Sequence, residues 1–530
     1  TLIGQTVGLC WKELEMVTRR TLLKTSAKTA ALGIVSVTGF PGIIGSAAAA
    51  RNGELIAAIV ADPLSFDPHL AGNIQGRTAV QAVHDKLFII DQKGRLAPGL
   101  AVSWKQDGEK SYTIKLRTGV KFQDGTKFDA EAVKYNLERI RNPDIGSIRD
   151  GEISALDKIE IVDPHTIKLT LKYPFAAFLY PLTDVAGCIG SPAAMESKGK
   201  DYGLHPVGTG PFRLVEYLKD SRSVLERNAD YWDKGKPQVE RLIMRPIPTD
   251  STRLSELRAG SLQLAEALPL QDIQRLRGMK ELVVSERPGF RWEYFGFNLR
   301  EAYPGHSKKF RQAFQWAIDR EALHQVAYFG TGTIGYDGIL PSSPFHDPNY
   351  KPFKRDIDKA KRLIDESGVS IPATLAAPLR PDAVKQRAAQ IFQANAAEIG
   401  VKIALEPTDS AGYRKTLSAG KMAVDVQGWW GYRPDPDQYL NILLHSEGRY
   451  AKRHGYANPE MDKLINAERT GRTEAERRKA FRALAELANE DAVYVPWHYS
   501  SDFKGLSPKV QGFVHPANGI VDFTALSVKK

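Results

Sequence analysis

Hydrophobic and polar positions in this chain follow two alternating periods. Residues 110–122, KSYTIKLRTGVKF, place Tyr112, Ile114 and Leu116 on one face with polar residues between them. Residues 165–173, HTIKLTLKY, repeat the pattern with Ile167, Leu169 and Leu171. Period two is the mark of a half-buried strand. Residues 129–140 instead put Val133, Leu137 and Ile140 on one helical stripe behind a capping Asp129. Helices are likewise predicted over 308–329, over 383–400 ending at Gly400, and after Thr473, where Glu476 completes a capping box. Residues 401–406 (VKIALE) and 492–499 (AVYVPWHY) read as strands. The mixture predicts an α/β or α+β fold with several lobes.

The first fifty residues break this pattern. Arg19 and Arg20 open a basic start, Thr29 to Ala50 carries no charge, and the run ends in small residues, Ser46 to Ala50. That is the layout of a cleavable export signal rather than a membrane anchor, since Pro41 and many Gly, Ala, Ser and Thr residues dilute its hydrophobicity. The paired arginines resemble a twin-arginine signal. Residues 16–50 are therefore expected to be the signal peptide, 1–15 an upstream extension, and the bacterial periplasm the destination.

Composition narrows the class. The 530 residues are 42% hydrophobic and 25% charged, which suits a globular chain of more than one domain. Of the two cysteines, Cys10 precedes the signal, so Cys188 is left without a disulfide partner. The net charge of +11 is dispersed, with no Lys/Arg block of the nucleic-acid-binding kind. Histidines do not pair at i, i+4, so no metal site is expected. GTGTIG (330–335) matches a dinucleotide fingerprint, yet a helical pattern precedes it and a loop follows, which reads as a turn. No nucleophile elbow or Walker loop occurs. Asp435 and Asp437 lie in a D-P-D run where carboxylates cap backbone N–H groups. No catalytic residues and no cofactor are expected, and the chain is read as a non-enzyme.

Several stretches together resemble one family. GTGPFRLVEYLKDSR (208–222) is similar to the signature of the extracytoplasmic solute-binding proteins, family 5, that serve peptide, nickel and related ABC importers. The stretches 96–140, YPFAAFLYPL (173–182), YFGFNLR (294–300), FRQAFQWAIDREAL (310–323), DKAKRLIDESG (358–368) and YVPWHY (494–499) add to the likeness, which covers the chain from residue 53 onward. The resemblance implies a two-lobed fold of the type II periplasmic binding protein kind, with an extra domain in the first lobe. Domain I is placed at 51–83, 206–290 and 497–530, domain II at 84–205, and domain III at 291–496, with crossings near 285–292 and 490–500. It further implies a monomer that encloses a small molecule by hinge closure and passes it to a permease and its ATPase. A sensing receptor for chemotaxis is the alternative, and nickel-chelate, glutathione, opine and oligosaccharide ligands stay open.

The resemblance also points to GWWGYRPDPDQYL (428–440) as cleft wall. Dipeptide-binding members carry an Asp shortly after the Gly-Trp that pairs with the ligand's ammonium. Gly428 and Trp429 match that pattern, but Tyr432 stands where the Asp is expected and Arg433 follows. An ammonium buried without its carboxylate is costly, so a peptide-like but anionic ligand is expected. Arg380 in APLRPDA (377–383) matches the family's carboxylate-binding loop, and Arg77 lies where domain I turns toward the cleft. The expected ligand-binding set is Arg77, Arg380, Trp429, Trp430, Tyr432 and Arg433. If the stretch is extended, Trp429 and Trp430 point to opposite faces and one of them is core.

Overall fold

The computed structural model describes residues 53–529. The export signal and the upstream extension lie outside the described residues. A sheet of nine strands forms the frame. In order it runs Val424–Trp430, Val283–Phe297, Tyr494–Leu506, Leu264–Ala265, Glu54–Ile59, Arg241–Pro246, Arg222–Arg227 and Phe212–Leu218, with the short Thr333–Ile334 pairing Tyr494–Leu506 from the side. Glu54–Ile59 is buried at every position. It lies between two parallel neighbours and is covered on both faces, so from Leu55 its sequence reads as a continuous apolar run.

Two long antiparallel strands, Val283–Phe297 and Tyr494–Leu506, carry the sheet from one lobe to the other. Their register shifts between Arg287 and Arg291, where Gly289 presses on the Ser500 carbonyl so closely that a side chain would overlap it. Glycine is required there by backbone approach rather than by its φ.

In the first lobe, four antiparallel strands stack in the order Ala101–Gln106, Ser111–Leu116, Thr166–Leu171 and Leu156–Asp163. The inward residues are the ones the alternation marks: Tyr112, Ile114, Leu116, Ile167, Leu169 and Leu171 are all buried. Helix Ala130–Arg141 covers them with Val133, Leu137 and Ile140, and the Asp129 side chain accepts from the Ala132 N–H at its start. In the second lobe, Phe295 stacks on Phe392 with ring centroids 4.1 Å apart and on Trp497 at 5.7 Å. Helix Ala383–Glu398 ends just before Gly400, which adopts φ +79°. The capping box of Thr473 and Glu476 is complete at the start of Glu474–Asp491.

The helix expected over 308–329 is divided. Lys308–Ala317 stops at Ile318, whose ψ of 134° is extended, and helical structure resumes at Arg320 and passes into the π-helical Leu323–Ala327. Tertiary bonds override the helical pattern. The Asp319 N–H donates to Asn395 Oδ1 at 2.9 Å, and buried Arg320 donates to the carbonyls of Gln315 and Pro496. GTGTIG forms a turn, with Gly330 and Gly332 at positive φ and Thr333–Ile334 joining the frame sheet. Among the described residues, no helix is long and apolar enough to cross a membrane.

Candidate functional site

A cavity of about 680 Å³ lies between the lobes. Its second-lobe wall is built where Val424–Trp430 leaves the edge of the frame sheet. The strand pairs Trp429 with Trp292 and Trp430 with Arg291 across to its neighbour. Alternation turns the two tryptophans to opposite sides. Trp429 is half-buried and meets Tyr450 edge-on at 5.1 Å, while Trp430 is 42% exposed. Both nevertheless line the cavity, because the strand ends at its rim. Tyr432 and Arg433 follow in the connection to helix Asp437–Leu444. Arg380 stands just beyond strand Leu375–Leu379, before the helix that Asp382 caps. Arg77 enters from the first lobe on helix Ile74–Val83. All six residues expected from the sequence thus line this one cavity.

Their charges are not equally available. Arg77 pairs with buried Asp184 and lies over the Tyr432 ring, 4.5 Å from its centroid. Burial and the neighbouring Arg149 pull its pKa down to about 10, so it stays cationic at neutral pH. Arg433 pairs with Glu152, whose other oxygen takes Arg149 at 2.7 Å. Burial alone would raise the Glu152 carboxyl, but Arg433, Arg149 and Arg77 outweigh it and hold it below its ordinary value. Arg291 pairs with Glu293 at 2.9 Å and lies 4.7 Å from the Trp430 ring centroid. Arg469 pairs with Asp437 at 2.5 Å.

Two lining guanidinia have no carboxylate partner among the described residues. Arg380 donates to Gln427 Oε1 at 3.0 Å and faces the Tyr413 ring at 5.0 Å. Arg449, exposed, lies 5.5 Å from the Tyr450 ring centroid. Conversely, each carboxylate in the wall is taken: Glu152 by two arginines, Asp437 by Arg469, and Asp435 by Arg477 at 2.5 Å. Asp435 does cap the Asp437 N–H at 3.1 Å, as its turn position suggests. Its main role is different, because both aspartates neutralise arginines, Asp435 the buried Arg477 and Asp437 the half-buried Arg469.

Arg149, Glu152, Arg291 and Arg449 were not singled out from the sequence. Glu152 lies in a short 3-10 turn, Asp150–Glu152, where no periodicity marks a side chain as inward. Arg291 is part of a long strand whose apolar neighbours dominate the pattern. Among the described residues, no group of three or more His, Cys, Asp or Glu side chains is placed to hold a metal ion. Cys188 is buried, and burial pushes its thiol up to about 12.

Residues 95–451 match the bacterial extracellular solute-binding proteins, family 5. The chain belongs to this family. It is 31% identical over 500 residues to the glutathione-binding protein GsiB of Salmonella typhimurium, a match covering 91% of this chain and 95% of that protein. Among solved structures, the ABC transporter substrate-binding protein CtaP of Listeria monocytogenes superposes with a TM-score of 0.81 at 26% identity, covering 90% of this chain and all of that one. The periplasmic binding protein AgaA in complex with agropinic acid gives 0.77 at 25% identity, covering 90% and 99%. The fold is that of the type II periplasmic binding proteins, as the resemblance implied. Members of the family capture solutes for ABC importers and are not enzymes, and this chain is a solute-binding component of that kind.

Proposed function

We propose that the chain captures a small, net-anionic, peptide-like solute in the periplasm and delivers it to an inner-membrane permease. One observation carries this reading. Guanidinia outnumber carboxylates around the cavity, every lining carboxylate is already paired, and Arg380 and Arg449 are left without an acidic partner among the described residues. A ligand carboxylate or phosphate completes such a site, because a guanidinium fork matches two acceptor oxygens. A free α-ammonium finds no uncommitted carboxylate there. Trp430 and Tyr432, with parallel rings at 6.4 Å between centroids, offer flat surface to the uncharged part of the ligand.

In this reading Arg380 is the main anion contact, and Trp429, Trp430 and Tyr432 form the apolar wall. Arg77 and Arg433 hold that wall in place through their own ion pairs. Domain I (51–83, 206–290 and 497–530) with domain II (84–205) forms one moving lobe, and domain III (291–496) the other. Export uses the twin-arginine route with cleavage near Ala48 to Ala50, and the mature chain works as a monomer.

The test is mass spectrometry of the small molecule that co-purifies with the protein, followed by calorimetry with that compound. Glutathione, with two carboxylates, is the first defined probe because GsiB binds it. Its N-acetylated form is the second. Tighter binding of the acetylated form supports the anionic reading. Retention of cationic or zwitterionic dipeptides in preference to both overturns it.

A further inference from the structure

Glu152 occupies an unusual place between the lobes. Its segment is tied to the first lobe, where Arg149 donates to the Ala71 carbonyl and Ser147 Oγ donates to the His69 carbonyl at 3.1 Å. From there one carboxylate oxygen takes Arg149 and the other takes Arg433 of the second lobe. The Arg149 and Arg433 side chains are each only 4% exposed and that of Glu152 11%, so water screens this bridge little. Three further contacts cross the cleft beside it. The Ala176 N–H donates to the Arg469 carbonyl at 2.7 Å, Arg469 lies 5.0 Å from the Phe175 ring centroid, and Arg77 covers Tyr432.

We propose that Glu152 is an internal anion that latches the cleft shut before any solute arrives, by bridging Arg149 on its own lobe to Arg433 on the other. The charge arrangement makes the bridge specific to the closed form. Without the carboxylate, closure brings two buried guanidinia together with nothing between them. Opening returns Arg433 to water and relieves the repulsion. In the open form Glu152 keeps Arg149 and loses only its second partner. Removing one side of a buried ion pair strands the other charge, which is enough to lower the closed population roughly tenfold or more.

The test needs no solute, so its failure is separable from any failure of the anionic-ligand reading. The mature protein is stripped by unfolding and refolding, and mass spectrometry confirms that it is empty. Glu152→Gln is then compared with the parent by small-angle scattering and amide hydrogen exchange. The expected result is a larger radius of gyration and exchange at the Ala176 amide accelerated roughly tenfold or more. Core amides such as Ile114 and Phe295 are expected to stay as protected as before. Arg433→Gln, acting from the opposite lobe, should reproduce both changes. An unchanged radius with unchanged Ala176 exchange in both variants overturns the proposal. So does acceleration at Ile114 and Phe295 equal to that at Ala176, which would mark a general loss of stability rather than release of a latch.

Discussion

Arg380 donates to the side-chain oxygen of Gln427 at 3.0 Å, a neutral amide partner within a wall where the buried arginines meet carboxylates. Gln427 is itself held by Tyr413, whose hydroxyl binds Asp425. The guanidinium is therefore aimed into the cavity by a buried network but not neutralised there.

Replacing this group should separate binding from stability. Arg380→Ala strands the ligand's charge and is expected to cost on the order of 2–5 kcal/mol of affinity, roughly 30-fold or more. Calorimetry with the co-purifying solute measures the loss. The melting temperature without ligand should hardly move, because no carboxylate is left unpaired. Arg433→Ala should also weaken binding, through the closed state that its pair with Glu152 supports.

The adjacent tryptophans should behave differently from each other. Trp429 is half-buried against Tyr450, so Trp429→Ala is expected to cost on the order of 2 kcal/mol of folding stability, read from urea unfolding. Trp430 is exposed at the cavity rim, so Trp430→Ala should leave stability within about 0.5 kcal/mol and weaken ligand binding instead. Equal stability losses in the two variants would count against the placement of Trp430.

Glycine 428 should resist any side chain. A Cβ there would overlap Oε2 of Glu293, which is fully buried and also holds Arg291 and Lys385. Gly428→Ala is expected to lower stability by about 1–3 kcal/mol in a thermal melt, as overpacking does. Disturbing Arg291 should also weaken binding.

In and beside the cavity wall, Asp435, Asp437 and Glu468 share two arginines, Arg469 and Arg477. Burial, reinforced by the Asp437 charge, raises the Glu468 carboxyl well above its ordinary 4.5, so it keeps a proton in the folded protein at pH values where the unfolded chain has lost it. The stability tied to that proton is full below pH 4.5 and is lost as pH rises through the folded value. Glu468→Gln mimics the protonated acid and removes this dependence. Urea unfolding across pH 5 to 8 should show the variant gaining on the parent as pH rises, by at most about 1.4 kcal/mol per pH unit. A constant difference across the range would mean that Glu468 is ionised in the fold.

Most local elements and the family are legible in the sequence. The strand alternation through Tyr112, Ile114 and Leu116, the Asp129 cap and the Thr473–Glu476 box are decided by side chains within a few residues of one another, and all three stand as read. The cleft stretch was legible through the family resemblance instead, since the register from Gly428 and Trp429 carries directly to Tyr432 and Arg433. Tertiary structure decided what depends on distant partners. It ended the helix at Ile318, because Asn395 and Pro496 claim Asp319 and Arg320. It also decided which arginines remain available to a ligand. Glu152 lies 281 positions from Arg433 and Asp184 lies over a hundred from Arg77. Charge pairing of that kind is set by which loops the fold brings face to face, and no local pattern records it.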